Sequence, residues 1–294
     1  MDDMTNSVSS AYVGVDVGGT NTRIGLFESL DSPQCRMITK FPTQERYEEQ
    51  IERIVRGIMG TEDMQGVTIA GTGCSIAGQL ARDGRSLVVA PNLLSYVRKP
   101  FAQDIENRCN CPVRLAHDPV CGLLAEKRFG DLHHYERCAY LTVSTGTGAA
   151  IQLSKGKSVL TSSIEIGHQI LDGNTRVCLC GQVGCLETYT GGRQITLREG
   201  YSPAEITDSA FWETFSDKLA IGLVNLTMLT RVEVVALSGA IVLNRLSLLA
   251  QVQQRVNALL CNTKLTLKVA TLGENAPLVG AAQLLAVPES TILH

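Results

Sequence analysis

Residues 11–28 read Ala11-Tyr12-Val13-Gly14-Val15-Asp16-Val17-Gly18-Gly19-Thr20-Asn21-Thr22-Arg23-Ile24-Gly25-Leu26-Phe27-Glu28. Alternating β-branched residues flank a Gly-Gly-Thr turn, which predicts a hairpin of two strands. Residues 138–153 repeat the arrangement around Thr145-Gly146-Thr147-Gly148. Two such turns, each followed later by strands and helices, point to two related halves in an α/β protein with mixed sheets.

Between and after the hairpins the pattern alternates. A third strand is expected at 35–41. Ile51, Ile54, Val55 and Ile58 fall at helical spacing within 44–60. Strands are expected near 67–72, 86–90 and 113–116, with a helix near 101–109. A helix follows from His117-Asp118-Pro119 to about Gly130. Further on come helices at 209–230 and 245–261, strands at 233–237 and 265–270, and a last helix at 277–287. This order divides the chain into one lobe over 11–116, with the C-terminal helix 277–290 returning to it, and a second lobe over 117–276.

The chain has 294 residues, a net charge of −3, 19% charged and 44% hydrophobic residues, which suits a globular protein with a sizeable core. The charge balance gives no footprint for nucleic acid. No apolar run reaches the ~18 residues of a membrane helix. The acidic, polar start MDDMTNSVSS does not read as a secretory signal. Ten cysteines in a chain of this length fit a reducing cytoplasm better than a disulfide framework.

Three of those cysteines stand together in Cys178-Leu179-Cys180-Gly181-Gln182-Val183-Gly184-Cys185-Leu186-Glu187, and His168 lies ten residues before the first. Three thiolates and one imidazole are the ligand count of a closed tetrahedral zinc site. With four protein ligands no position stays open for substrate, so the zinc is expected to be structural. Ordinary buried cysteines are the alternative, and two glycines among three cysteines count against it.

Glycines at a hairpin tip let backbone N–H groups approach a phosphate. At the first tip, Gly18 and Gly19 fit that use, Thr20 adds a hydroxyl, and Asp16 could hold Mg²⁺ directly or through water. An ordinary tight turn accounts equally for the first tip taken alone. A second tip of the same kind, at Thr145, Gly146, Thr147 and Gly148, favours two loops clamping one nucleotide. Asp118 with Pro119 reads as a helix N-cap followed by proline at the first helical position. It also reads as a carboxylate at a strand-to-helix junction, where clefts form, and both can hold. Glu165 and Glu187 bracket the metal motif. They are either solvated surface acids or two acceptors oriented by the metal toward a hydroxyl-rich ligand such as a sugar.

Six ordered motifs carry a resemblance. They are Asp16-Val17-Gly18-Gly19-Thr20, Asn92 within Pro91-Asn92-Leu93, Asp118 with Glu126 downstream, Thr145 to Gly148, Glu165-Ile166-Gly167-His168, and the run from Cys178 to Glu187. Over about residues 11–286 the chain resembles the ROK family (repressor, open reading frame, kinase) of bacterial sugar kinases and repressors, and Gly280-Ala281-Ala282 resembles its closing helix. The resemblance implies an actin-like ATPase (ribonuclease H-like) fold of two α/β lobes with a central cleft. It implies ATP-dependent phosphorylation of a hexose or N-acetylhexosamine, usually at the C6 hydroxyl, with Mg²⁺ accompanying ATP. Asp118 aligns with the catalytic base. Asn92, Glu165, His168 and Glu187 align with sugar-binding positions, Gly239 with the adenosine loop, and His168, Cys178, Cys180 and Cys185 with zinc ligands. A homodimer is implied as well.

Four departures stand out. His117 replaces the usual Asn before the base, and its imidazole can still hydrogen-bond a sugar. Ala149-Ala150 replace glycines after the second loop. Ser238-Gly239-Ala240 replaces Gly-Gly-Gly, and Ser75-Ile76 replaces Pro-Gly. Extra Cβ atoms in the second and adenosine loops are expected to crowd a backbone that must approach ATP. A His before the base is similar to allose kinases. The Ser144 region and metal loop are equally similar to N-acetylmannosamine kinases, and glucokinases belong to the same set. A sugar sensor without turnover is the main alternative to an active kinase. A repressor is disfavoured, since only about ten residues precede the first strand, too few for a DNA-binding helix pair.

Overall fold

The computed structural model describes residues 9–60 and 67–294, so most of the polar start, residues 1–8, lies outside the described residues. Two compact units divide the chain. Unit 1 runs to Ala125 and resumes at Asn275; unit 2 spans Glu126–Glu274. In chain order unit 1 contributes β1 (Ser9–Val17), β2 (Asn21–Phe27), β3 (Arg36–Pro42), α1 (Tyr47–Met59), β4 (Val67–Ile76), β5 (Gln79–Leu80), β6 (Leu87–Val89), α2 (Phe101–Cys109), β7 (Val113–His117) and the start of α3 (Asp118–Phe129). Unit 2 contributes β8 (Arg137–Val143), β9 (Thr147–Lys155), β10 (Ser158–Ile164), α4 (Glu187–Thr190), α5 (Gly192–Glu199), α6 (Ser209–Thr230), β11 (Val234–Ser238), α7 (Ala240–Leu243), α8 (Ser247–Leu259) and β12 (Thr266–Val269). Unit 1 resumes with α9 (Ala276–Gln283) and ends with the two-residue strand β13 (Ile292–Leu293).

Unit 1 orders its main sheet β3-β2-β1-β4-β7. The first three strands are antiparallel neighbours, while β1, β4 and β7 run parallel. In unit 2 the order β10-β9-β8-β11-β12 repeats the scheme, with three antiparallel strands and then two parallel additions. The two glycine turns therefore join the first and second strands of the same five-strand topology.

Packing follows from the sequence periods. On β1, Val13, Val15 and Val17 are fully buried and share a core with Ile51, Ile54, Val55 and Ile58 of α1. Each such side chain contributes about 1.5–3 kcal/mol when removed from water. The alternate face of β1 carries Gly14, where an added Cβ would lie 2.6 Å from the carbonyl oxygen of Leu278 on α9. At Gly73 an added Cβ would meet the Ala281 carbonyl at 1.7 Å, and at Gly280 it would meet the Cys121 carbonyl at 1.7 Å. Backbone thus packs on backbone where α9 crosses β1, β4 and the first turns of α3. That close seat keeps Asp118–Ala125 with unit 1, so the division falls at 125/126 rather than at the expected 116/117. The last helix ends at Gln283, short of the expected 287 or 290.

In unit 2, Trp212, Phe215, Leu219 and Leu223 of α6 pack with Val252 and Val256 of α8. No described helix is long and apolar enough to cross a membrane. All ten cysteines are free thiols.

Candidate active site

Parallel strands bring their C-terminal ends to one edge, where α/β sheets place ligands. In unit 1 that edge carries Asp16, Ser75, His117 and Asp118, through the registers Asp16↔Ser75 and Ile76↔His117. The hairpin tip beside them is exposed at Gly19 and Thr20. Gly18 N–H donates to Asn21 O at 3.0 Å and closes the turn. Thr43 braces it, its hydroxyl donating to Gly18 O at 2.7 Å and its N–H to Thr20 O at 2.9 Å. Behind Thr43, Thr22 accepts from the buried Gln50 at 2.7 Å. Asn92 lies against the tip, 3.1 Å from where a Gly19 Cβ would stand.

Asp16 is buried, and its Oδ2 accepts from Arg23 Nη2 at 2.6 Å and Nε at 3.1 Å, while Oδ1 accepts from Ser75 Oγ at 2.9 Å. Burial pushes its carboxyl above the usual range, the Arg23 charge and the hydrogen bonds opposing, and the Asp118 charge adds to the rise. Any Mg²⁺ at Asp16 thus shares the carboxylate with a guanidinium. Asp118 opens α3, and His117 Nε2 lies 3.1 Å from its Oδ1. The Asp118 side chain keeps 30% exposure, enough for a substrate hydroxyl to reach it.

Unit 2 gathers the other expected residues. Ser144 N–H donates to Gly146 O at 2.9 Å, which makes Ser144, Thr145 and Gly146 the tip of the second hairpin. Thr147 departs from expectation: its N–H donates to Glu187 Oε2 at 2.7 Å, and its hydroxyl bonds Thr190 at 2.7 Å. Thr147 therefore positions Glu187 instead of facing outward, and Gly148 is already paired with Thr142 in the sheet. Gly146 and Gly167 flank the same carboxylate, with added Cβ atoms 2.8 Å and 3.3 Å from Glu187 Oε2. Gly239 has φ +89°, and a Cβ there would meet Val143 O at 2.4 Å, so only glycine fits beside this loop. The methyls of Ala149 and Ala150 are fully buried, and Ser238 is buried with its hydroxyl toward Gly273 O at 3.4 Å. The side chains of these three residues are buried within the unit, while Ala240 is exposed.

His168, Cys178, Cys180 and Cys185 present four ligand atoms within 4.8 Å of one another. The Sγ atoms of Cys180 and Cys185 are 3.7 Å apart, and Cys178 Sγ is 3.8 Å from His168 Nδ1. Sulfurs bound to one tetrahedral zinc at about 2.3 Å stand about 3.8 Å apart, so the cage fits that ion. Gly181 at φ +93° and Gly184 at φ +94° make the turns that bring the thiols together. Burial pushes the Cys178 thiol up to about 12 and raises Cys185. At Cys180 burial is outweighed by hydrogen bonds from the Gln182 backbone and both other thiols, which hold it below the usual thiol range. A divalent cation would replace the protons of such a cluster. Gln194 Nε2 donates to Cys178 Sγ at 3.1 Å, and Gln182 Nε2 to Cys185 Sγ at 3.4 Å, a second layer that orients the sulfurs. With Nδ1 toward the cage, His168 turns Nε2 toward Glu165 Oε2 at 3.9 Å.

Glu126 has a structural task. It is buried, accepts from Leu272 N–H at 2.8 Å, and leaves room only for glycine at 130. Arg23, Ser75, Gln50, Gln194 and Thr190 were not foreseen. Arg23 alone had a signal, since the turn length sets Asp16 opposite residue 23.

A family model described as ROK family matches residues 12–287. The glucokinase of Thermotoga maritima is 30% identical over 196 residues, spanning 64% of this chain and 60% of that protein. The N-acetyl-D-glucosamine kinase of Citrobacter koseri is 27% identical over 78% of this chain and 84% of its own length. The xylose repressor of Caldicellulosiruptor bescii is 30% identical, but the match spans only 32% of it. Among solved structures, a ROK hexokinase from Thermus thermophilus superposes with a TM-score of 0.76 at 26% identity, covering 92% of this chain and 96% of that one. A ROK glucokinase from Streptomyces griseus, solved with glucose and AMPPNP, also gives 0.76, at 22% identity over 93% of this chain and 98% of that one. These neighbours share the actin-like ATPase fold, the α/β class expected from the hairpins. A family match over nearly the whole chain, on the fold and motifs described above, establishes that this protein belongs to the ROK family.

Proposed function

We propose that this chain is a sugar kinase that transfers the γ-phosphoryl group of ATP to a hydroxyl, C6, of a hexose or N-acetylhexosamine. The observation that carries the reading is the duplicated edge: each unit presents a glycine turn at the same place in the same topology, with a carboxylate beside it. Asp118 serves unit 1 and Glu187 serves unit 2. Asp118 would accept the proton of the attacking hydroxyl, with His117 donating to its Oδ1 and fixing its orientation. Asn92, His117, Glu165, His168 and Glu187 would bind the sugar hydroxyls. Gly18, Gly19, Thr20, Thr145 and Gly146 would hold the phosphates, with Gly239 at the adenosine side and Mg²⁺ accompanying ATP. Phosphoryl transfer asks mainly for positioning and charge stabilisation, which such groups supply. His168, Cys178, Cys180 and Cys185 would hold a structural zinc that fixes the His168 ring and, through Leu186, the start of α4.

The kinases among the relatives, named for glucose and for N-acetyl-D-glucosamine, support this class. A second reading, sugar binding without turnover, is favoured by the Arg23 guanidinium on Asp16. A coupled ADP-release assay with Mg-ATP over glucose, mannose, fructose, allose, N-acetylglucosamine and N-acetylmannosamine separates the two. Turnover on one sugar, with the product's phosphorylated carbon read by NMR, supports the kinase. Silence from folded, metal-loaded protein that still binds a sugar supports the sensor.

A further inference from the structure

Unit 2 holds a cleft of about 280 Å³ that none of the proposed kinase residues lines. Arg176 enters it from the loop before Cys178, its guanidinium 3.9 Å above the Tyr189 ring. Arg176 Nη1 is buried and has no hydrogen-bond partner. A buried donor without an acceptor is a standing penalty that an anion would relieve. Arg198 lies in the same wall with its Nη1 donating to Thr188 O, close enough for the two like charges to disfavour each other. Lys218, outside the lining, places its ammonium 5.3 Å from the same ring.

The two acids of the cleft are already engaged. Glu199 accepts from Arg198 Nε at 2.7 Å, and Asp208 accepts from Ala210 N–H at 3.0 Å as the cap of α6. Phe211 and Phe215 give the cleft an apolar wall, and Thr214 is exposed at its edge with its hydroxyl donating to Ala210 O at 3.0 Å. Two guanidinium groups on different elements, with a lysine nearby, suit a tetrahedral dianion better than a planar monoanion. We propose that this cleft binds a phosphate group, either free phosphate or the phosphate of a small monoester. The bound group would touch Tyr189, on the short helix that begins at Glu187. The site is separate from the kinase reading and stands whether or not that reading holds.

The test is NMR of the full-length, metal-loaded protein with ¹⁵N-arginine, titrated with inorganic phosphate, a hexose 6-phosphate and acetate. Arg176→Gln and Arg198→Gln assign the two Nε–H signals. Saturable shifts of both signals with phosphate or the monoester are expected, and the tighter of the two names the natural source. Arg198→Gln should weaken binding about tenfold, the worth of one charge-assisted hydrogen bond. Thr214→Glu, which leaves the metal loop untouched, should abolish the Arg176 shift by placing an acid in the cleft. The assignment is overturned if neither phosphate ligand moves both signals before bulk ionic strength moves the surface arginines. It is also overturned if acetate acts as well as phosphate, or if Thr214→Glu binds normally.

Discussion

Replacing Arg23 by Met removes the guanidinium that faces Asp16 at the first glycine turn. The two side chains are only 16% and 11% exposed, so solvent screens the pair weakly. Breaking a buried pair from one side costs about 3–5 kcal/mol, because the other charge is left without its partner. Ser75 Oγ still donates to Asp16, which places the expected loss near the lower end, about 3 kcal/mol. The loss should depend on pH with a defined sign. Burial already holds the Asp16 carboxyl above its ordinary range with Arg23 present. The native state therefore takes this proton at higher pH than the unfolded chain, so Asp16 favours the native state more as pH falls from above its native pKa toward its unfolded one. Without Arg23 the native pKa rises further. The loss should then be largest at high pH and shrink as pH falls, by up to about 1.4 kcal/mol per unit through the range where Asp16 titrates. Urea unfolding of the wild type, Arg23→Met, Asp16→Asn and the double variant between pH 5 and 8 measures all of this. The double variant, with no buried charge left unpaired, should lose less than Arg23→Met alone. A loss below about 1 kcal/mol, the level of an exposed pair, or one that does not change with pH, would refute the reasoning.

Other outcomes follow from the same geometry. Gly280→Ala should destabilise by about 1–3 kcal/mol or more in chemical denaturation, although alanine otherwise favours a helix, because its Cβ would meet the Cys121 carbonyl. Glu187→Gln keeps an acceptor for Thr147 N–H but removes the charge, and should lower kcat/KM for the sugar roughly ten- to a hundredfold while the melting temperature stays close to wild type. Metal analysis should find one zinc per chain. Its removal by a strong chelator should lower the melting temperature and abolish sugar binding, and full activity in metal-free protein would contradict the proposed role of the cage.

The parts of the fold legible in the sequence were those with a strong local period or a glycine turn. Four isoleucine and valine positions placed α1, and Gly18-Gly19-Thr20 placed the β1–β2 hairpin. The strand β10 was missed because Ser158–Ile164 buries only Thr161, so no alternation of apolar residues marks it. The helices α4, α5 and α7 span four, eight and four residues, too short for a helical period to emerge beside the metal loop. At the site, the four clustered ligands were visible because three lie within one short loop. The tie from Thr147 to Glu187 spans 40 residues and rests on tertiary packing, so no local pattern announces it. The pairing of Arg23 with Asp16 was not foreseen, although the register of the hairpin sets the two opposite each other. At Ala149 and Ala150 residue type alone did not say that both methyls are buried.

The role of Asp118 tests the account most directly. The measurement is ADP release by Asp118→Asn beside wild type on whichever sugar the wild type turns over, with sugar affinity followed by calorimetry. Asparagine keeps an oxygen that can accept from His117, so the fold and sugar affinity should persist. Turnover should fall by at least about a hundredfold, the usual worth of a positioned general base. An Asp118→Asn enzyme that binds the sugar and turns it over at near the wild-type rate would contradict the account.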